Sequence, residues 1–223
     1  WCSRKQPTSE RRWQRRPKGH PHKRPSPILT QNGLDCFLSR FKPSRSGLER
    51  VSIDWPQLER QLRRILPAKA VVAARQELLA YDCDGLTLSR HQPPLVVLPE
   101  TTAQVAAAVK LCHQQGVPFV ARGSGTGLSG GAVAEIESLV IATSRMRQVL
   151  AIDLENQRIT VQPGVINSWV TRAVAGDGFY YAPDPSSQVA CSIGGNVAEN
   201  SGGVHCLKYG LTLHNVLRVR GFS

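Results

Sequence analysis

The sequence has little of what several classes of protein require. It contains six cysteines in 223 residues, and no two of them have the Cys-x-x-Cys spacing of a zinc or iron–sulfur site. No apolar run reaches the length of a membrane-spanning helix, and the N-terminus has no apolar stretch typical of a secretory signal. We therefore expect a cytoplasmic protein with reduced thiols and no metal, in which any contact with a membrane is peripheral.

Acidic residues are scarce in one part of the chain only. The formal net charge is +12, but residues 1–47 hold 12 Lys and Arg against 2 Asp and Glu, whereas residues 48–223 hold 16 against 14. Because this basic arm has almost no apolar periodicity, we predict that it is disordered. Trp1 as the first residue and Met146 as the only methionine indicate an incomplete reading frame and a non-native arm. A basic nucleic-acid-binding protein is the alternative.

Residues 48–90 predict a short helical preface to the main domain. Asp54 is a suitable N-cap, and Leu58, Leu62 and Ile65 share one helical face until a proline ends the run. A second short helix is predicted from Val71 to Ala80, closed by the turn Tyr81-Asp82-Cys83-Asp84-Gly85.

The main domain, residues 91–223, is predicted to be α+β. It opens with a strand over residues 95–98, a helix capped by Thr101 and Gln104 and ended by Gly116, and a strand leading into a glycine-rich loop. Three more strands follow, at residues 139–142, 148–152 and 158–162, and the last two read as a hairpin. A helix over residues 165–175 comes next. A doubly wound fold would instead alternate strand and helix throughout.

The loop from Arg122 to Gly131, which we call the glycine loop, contains five glycines in ten residues. Glycine allows positive φ and close approach of the backbone, so consecutive N–H groups can point at one anion such as a phosphate. The loop matches the dinucleotide fingerprint, but no helix starts inside it and no acidic residue lies about 20 positions on. No Lys-Ser or Lys-Thr follows it, which excludes a Walker P-loop.

Ser129 within this loop also satisfies the Gly-x-Ser-x-Gly pattern of a nucleophile elbow. The order Ser129, Asp184, His205 reproduces that of an α/β-hydrolase triad. The elbow requires a helix immediately after the serine, which this sequence does not offer. A serine hydrolase therefore stays as an alternative from a different class.

A second glycine segment, residues 183–203, contains two Gly-Gly pairs around a predicted helical turn. Its Asn and Ser side chains supply neutral donors and acceptors suited to a heterocycle or a ribityl chain. Two such segments in one domain favour a common ligand. His205, just beyond, reads either as a ligand contact or as a hydrogen-bonded structural histidine.

Three motifs resemble one family of flavoproteins. VLPETTAQVAAAVKLCHQQGVPFVARGSGTGLSGGAV, VQPGV and PDPSSQVACSIGGNVAENSGGVHCLKYGLTLHNVL occur in this order within residues 50–219. They are similar to the FAD-linked oxidases of the PCMH (vanillyl-alcohol oxidase-like) type, and most of all to the glycolate oxidase D subunit and D-lactate dehydrogenase group. The resemblance implies an FAD-binding domain of two α+β subdomains with the cofactor extended between them.

The resemblance also implies which residues hold the cofactor. The glycine loop would bind the pyrophosphate through backbone N–H groups, and the second glycine segment would line the flavin and the ribityl chain. The implied FAD-binding residues are Arg122, Gly123, Ser124, Gly125, Thr126, Gly127, Leu128, Pro183, Asp184, Ser186, Ser187, Ser192, Gly194, Gly195 and Asn196. Relatives that attach FAD covalently carry a histidine where this chain has Thr126, so non-covalent FAD is expected.

The implied activity is oxidation of a 2-hydroxy acid, of the glycolate or D-lactate type, to the 2-oxo acid. A hydride would pass to flavin N5, and the electrons would continue to an electron-accepting partner subunit. In the family the catalytic residues lie in a later part of the protein. The resemblance therefore assigns no catalytic residue here, and we expect the 223 residues to be a fragment that is inactive alone.

Overall fold

The computed structural model describes residues 2–4, 53–134 and 137–221. The strands among these residues are β1 (Cys2–Arg4), β2 (Val71–Val72), β3 (Leu95–Val97), β4 (Phe119–Arg122), β5 (Leu139–Ala142), β6 (Val149–Asp153), β7 (Arg158–Val161) and β8 (Phe179–Tyr181). The α-helices are α1 (Trp55–Ile65), α2 (Arg75–Leu78), α3 (Thr102–Gln115), α4 (Asn167–Val174), α5 (Ile193–Glu199) and α6 (Cys206–Tyr209).

A four-stranded sheet with the order β2-β3-β5-β4 forms the first lobe of the fold. β3, β5 and β4 run parallel, and β2 pairs antiparallel with β3 at one edge. The side chains of β3 and β5 are buried throughout, as expected for central parallel strands covered on both faces. Their carboxyl ends lie at one edge of the sheet, and the glycine loop leaves β4 at that edge.

The second lobe combines the antiparallel hairpin β6–β7 with α4 and β8. Its core packs Val165, Val170 and Tyr181 against half-buried side chains of β7 and α4. β8 also pairs antiparallel with β1. Parallel and antiparallel elements in two lobes confirm the predicted α+β class.

Capping residues place the helices close to where the sequence predicted them. The Asp54 Oδ1 accepts the N–H of Gln57 at 2.9 Å at the start of α1, and the Thr101 Oγ1 accepts that of Gln104 at 3.2 Å at the start of α3. α3 ends at Gly116, whose φ of +65° is left-handed. The predicted apolar face of α1 was wrong at its last residue: Ile65 is exposed, and Leu66 is buried in its place.

The predicted helix from Val71 to Ala80 was also wrong in its first half. Val71 and Val72 form the strand β2, in register with Val97 and Val96, and only Arg75–Leu78 is α-helical. Two adjacent β-branched residues beside an open sheet edge pair with it, because tertiary pairing overrides weak helix propensity. Part of the predicted preface (residues 48–90) therefore belongs to the main sheet.

The predicted disordered arm, residues 1–47, is described only at β1. At these three residues the structure has a strand and departs from that prediction. The remainder of the arm lies outside the described residues, so the prediction of disorder and the division at residues 47 and 90 stay predictions.

Candidate cofactor site

The glycine loop begins at Arg122, the last residue of β4, at the carboxyl edge of the parallel strands. Gly125 and Gly130 adopt φ of +72° and +78°, which other residues rarely adopt. Among the described residues, no group accepts a hydrogen bond from the backbone N–H of any residue from Ser124 to Ser129. A Cβ placed on Gly127 would meet nothing within 4 Å. As far as the described residues go, the middle of the loop thus presents consecutive donors without partners, with open space at Gly127.

The Arg122 side chain lies beneath this loop. Its Nη1 donates to the Ala132 carbonyl at 3.1 Å, and its Nη2 donates to the Cys83 carbonyl at 2.8 Å. The guanidinium carbon also lies 5.7 Å from the centre of the Tyr81 ring. Burial lowers the pKa of this guanidinium from its ordinary value, although an arginine stays charged in a protein. Arg122 therefore supports the loop from within, and only its backbone is available to a ligand.

The turn before β3 makes further contacts with the loop. We call residues 81–86 the bracing segment. The buried carboxylate of Asp84 accepts the Gly130 N–H at 2.9 Å through Oδ2 and the Leu86 N–H at 2.9 Å through Oδ1. The hydrogen bond from Gly130 is the main reason why the pKa of this carboxyl lies below its ordinary value. In addition, the Gly85 N–H donates to the Gly127 carbonyl at 2.9 Å.

The glycine loop meets the start of α5 at Gly123. A Cβ on Gly123 would overlap the Ser192 Oγ and lie 3.5 Å from the Gly195 nitrogen. Ser192 is the N-cap of α5 and accepts the Gly195 N–H at 3.3 Å. The structure thus brings together the two glycine segments that the sequence suggested would share a ligand.

The α5 helix is fixed against the second lobe by a further close approach. The Gly194 N–H donates to the Pro163 carbonyl at 2.8 Å, and a Cβ on Gly194 would lie 2.7 Å from the Pro163 Cβ. Asn196 on α5 is 2% exposed. Its Nδ2 is buried, with no hydrogen-bond partner among the described residues. A ligand oxygen is the kind of acceptor that such a buried donor requires.

Residues 183–187 lie beside α4 and α6. Pro183 is buried, and its carbonyl accepts from the Asn167 Nδ2 at 3.1 Å. Ser187 is half-buried and receives backbone hydrogen bonds from Ala190 and Cys191, whereas Ser186 is exposed. Within the described ranges, none of their side chains forms a hydrogen bond with the glycine loop.

Asp184 and His205 form a hydrogen-bonded pair in the structure. The Asp184 Oδ2 hydrogen-bonds the His205 Nδ1, and a Cβ on Gly203 would overlap the Asp184 carbonyl. The Tyr209 ring lies 6.4 Å from the imidazole, centre to centre. Ser129 is exposed in the glycine loop, and no hydrogen bond joins it to His205 within the described part of the chain. The elbow geometry is also missing, because a turn follows Ser129 where a helix is required.

The bracing segment is the part of the site that sequence reasoning missed. Its residues were read only as the turn that closes a helix. The alternation of Asp and Gly in Asp82-Cys83-Asp84-Gly85 gave a weak signal, since such residues favour tight turns with exposed N–H groups. The distance along the chain, 46 residues between Asp84 and Gly130, concealed the contact.

A family model described as FAD binding domain matches residues 93–222 of this chain. The chain belongs to this family. The match covers more than half of the sequence and contains both glycine segments, so the expected FAD-binding domain is confirmed. The serine hydrolase and nucleic-acid alternatives find no support in this assignment.

Two related proteins are consistent with this family assignment. The chain is 51% identical over 158 residues to the glycolate oxidase subunit GlcD of Escherichia coli (strain K12), covering 71% of this chain and 32% of that protein. It is 33% identical to the D-lactate dehydrogenase of Anaerostipes hadrus, covering 70% and 33%. The chain therefore spans about a third of the length of these relatives.

A solved structure shows the same fold at low sequence identity. The alkyldihydroxyacetonephosphate synthase matches with a TM-score of 0.64 and 22% identity, over 74% of this chain and 34% of the other. Within the described residues, no helix is long and apolar enough to cross a membrane.

Proposed function

We propose that this chain is the FAD-binding part of an oxidoreductase that converts a 2-hydroxy acid, of the glycolate or D-lactate type, into the 2-oxo acid. The relatives named above are a glycolate oxidase subunit and a D-lactate dehydrogenase. FAD would accept the hydride. The protein would bind the cofactor, orient it and set the electrostatic environment around it.

The observation that carries the proposal is the row of N–H groups from Ser124 to Ser129, for which the described part of the chain offers no hydrogen-bond acceptor. Unpaired donors in a glycine-rich turn form a concave site for an anion, and a pyrophosphate offers several acceptor oxygens along one direction. The loop also touches Ser192 and Gly195, so a ligand that starts on the loop continues directly onto α5.

The proposed positions of FAD follow from this contact. Gly123, Ser124, Gly125, Thr126, Gly127 and Leu128 hold the pyrophosphate through backbone N–H groups, above the buried side chain of Arg122. The start of α5 and the preceding turn lie next to the ribityl chain and the flavin. The residues proposed there are Pro183, Asp184, Ser186, Ser187, Ser192, Gly194, Gly195 and Asn196.

The proposed attachment of FAD is non-covalent. A covalent bond to the flavin needs a nucleophilic side chain in contact with the ring. Thr126 has only a neutral hydroxyl, which is a weak nucleophile unless a base activates it. Electrons are proposed to leave through a partner subunit.

Titration of the apoprotein with FAD and with riboflavin, followed by flavin fluorescence, tests the site. Riboflavin lacks the pyrophosphate, so we expect FAD to bind about tenfold or more tightly, in line with several charge-assisted hydrogen bonds. Equal affinity for the two compounds would contradict the assignment of the glycine loop.

The 223 residues alone are expected to be inactive, so the substrate class is tested in a protein that carries this chain together with the later part that holds the family's catalytic residues. We expect its flavin absorbance to fall when D-lactate or glycolate is added without oxygen. Unchanged absorbance with both acids, in a holoprotein that dithionite bleaches, would remove these substrates from the proposal.

A further inference from the structure

We propose that the bracing segment, which lies outside the matched family region, is a positioning element for FAD. Through Asp84 and Gly85 it sets the direction in which the glycine loop presents its N–H groups. The inference rests on the proposed function, because the loop is taken to be the pyrophosphate site. It adds residues that neither the family match nor the sequence motifs assign.

The first step is the orientation of one peptide group. The Gly85 N–H donates to the Gly127 carbonyl at 2.9 Å. In a trans peptide the C=O of one residue and the N–H of the next point in opposite directions. By holding the Gly127 carbonyl on the side of the bracing segment, Gly85 turns the Leu128 N–H towards the opposite, open side of the loop.

The second step concerns the end of the loop. The Gly130 N–H points back to the Asp84 carboxylate, so it is not available to a ligand. This carboxylate also receives the Leu86 N–H and is only 7% exposed. Asp84 therefore fixes where the row of available donors ends, at Ser129.

The third step is the cross-link between the two chain segments. One guanidinium, that of Arg122, joins the Cys83 carbonyl to the Ala132 carbonyl, and it lies against the Tyr81 ring. A buried charge with both carbonyls in place is costly to displace. The Arg122 side chain thus ties the bracing segment to both ends of the glycine loop.

The contact between the two segments leaves no room for a side chain at Gly85. A Cβ there would lie 2.8 Å from the Thr126 carbonyl oxygen and 3.1 Å from that of Gly127. Both obstacles are backbone atoms, so they yield only if the loop moves. Gly85 does not have a positive φ, so its backbone conformation suits alanine. The cost of Gly85→Ala therefore comes only from the steric contact with the loop.

The test compares Gly85→Ala with Gly176→Ala in the apoprotein. Gly176 is the matched control, because a Cβ there meets nothing within 4 Å and it lies outside the site. For Gly85→Ala we expect FAD affinity to fall about tenfold or more, as for loss of a charge-assisted donor, while riboflavin affinity stays unchanged. Gly176→Ala should match wild type with both ligands. An equal loss for FAD and riboflavin, or none for either, would overturn the proposal.

A second arm uses Asp84→Asn, which keeps the size of the side chain and removes its charge. Asp153→Asn is its control, since Asp153 likewise accepts a backbone N–H, from Asn156 in the β6–β7 turn. Hydrogen exchange of the apoprotein should speed up within residues 122–134 for Asp84→Asn and not for Asp153→Asn. Unchanged exchange in that segment would also overturn the proposal.

These outcomes separate the two claims. If wild type does not bind FAD more tightly than riboflavin, the proposed function fails, and hydrogen exchange still decides whether the bracing segment holds the loop. If wild type binds FAD more tightly than riboflavin, and Gly85→Ala and Asp84→Asn bind FAD as tightly as wild type, only the proposed role of the bracing segment is wrong.

Discussion

At the scale of single residues, Gly123 has the closest contact between the two glycine segments. Here the glycine loop meets the N-cap of α5, and a Cβ on Gly123 would overlap the Ser192 Oγ. Overpacking of this kind costs typically about 1–3 kcal/mol. The backbone of the loop and the cap of α5 would both have to shift.

Gly123→Ala is therefore expected to destabilise the apoprotein by about 1–3 kcal/mol, measured by urea unfolding. Ser192→Ala removes the obstructing oxygen but also the N-cap, which costs about 1 kcal/mol. The double variant should lose less stability than the sum of the two single losses. Without the Ser192 hydroxyl, the methyl group added at position 123 has no oxygen to overlap. Strict additivity would mean that the overlap is relieved in some other way.

Cysteine reactivity provides a prediction that does not depend on any cofactor. Burial on α3 raises the pKa of the Cys112 thiol to about 11, and the thiolate is the reactive form. Cys206 is half-buried and free. Labelling of the native protein with iodoacetamide at pH 8, read by mass spectrometry, should modify Cys206 and leave Cys112 unmodified until urea is added. Early modification of Cys112 would contradict its burial.

At the scale of elements, α3 shows how closely sequence signals and structure agree. Thr101, Gln104 and Gly116 predicted both ends of this helix, because each acts through hydrogen bonds or dihedral angles within a few residues. The apolar residues 139–142 likewise predicted β5 without error. Local chemistry was sufficient for these elements.

Gly116→Ala tests the C-terminal end of α3. The φ of Gly116 is +65°, and the position of a Cβ there is free of neighbours. The cost should therefore be only that of a left-handed backbone, about 1–2 kcal/mol. Thermal unfolding should show this loss while FAD affinity stays at the wild-type value. A variant as stable as wild type would contradict the left-handed cap.

Elements whose form depends on distant partners were not predictable in this way. Val71 and Val72 become a strand because β3 lies beside them, and the apolar pattern alone also fitted a helix. In the site, the sequence brought out both glycine segments through their composition. It did not reveal that Arg122 points beneath the loop, or that Asp84 binds Gly130, since each contact joins residues about 40 positions apart.

At the scale of the whole molecule, the proposed FAD contacts lie on both lobes. The glycine loop follows the sheet of the first lobe, and α5 is held to Pro163 of the second. A ligand that touches both should stabilise them as one unit, because any ligand that binds only the folded state adds to the free energy of unfolding.

FAD is therefore expected to raise the midpoint of thermal unfolding in one cooperative step. At a free concentration about 100 times the dissociation constant, the added stability is about 2.7 kcal/mol. Riboflavin at the same concentration should add less, because it lacks the contacts with the glycine loop. Two separate transitions in the presence of FAD would argue against a ligand that bridges the lobes.

The most direct test is a crystal structure of the protein with FAD bound. We expect pyrophosphate oxygens within hydrogen-bonding distance, about 2.7–3.2 Å, of backbone nitrogens between Gly123 and Ser129. The Gly130 nitrogen should remain on Asp84, and the ribityl chain should run along the start of α5. A pyrophosphate bound elsewhere, with the N–H groups of the glycine loop still unpaired, would contradict the central claim.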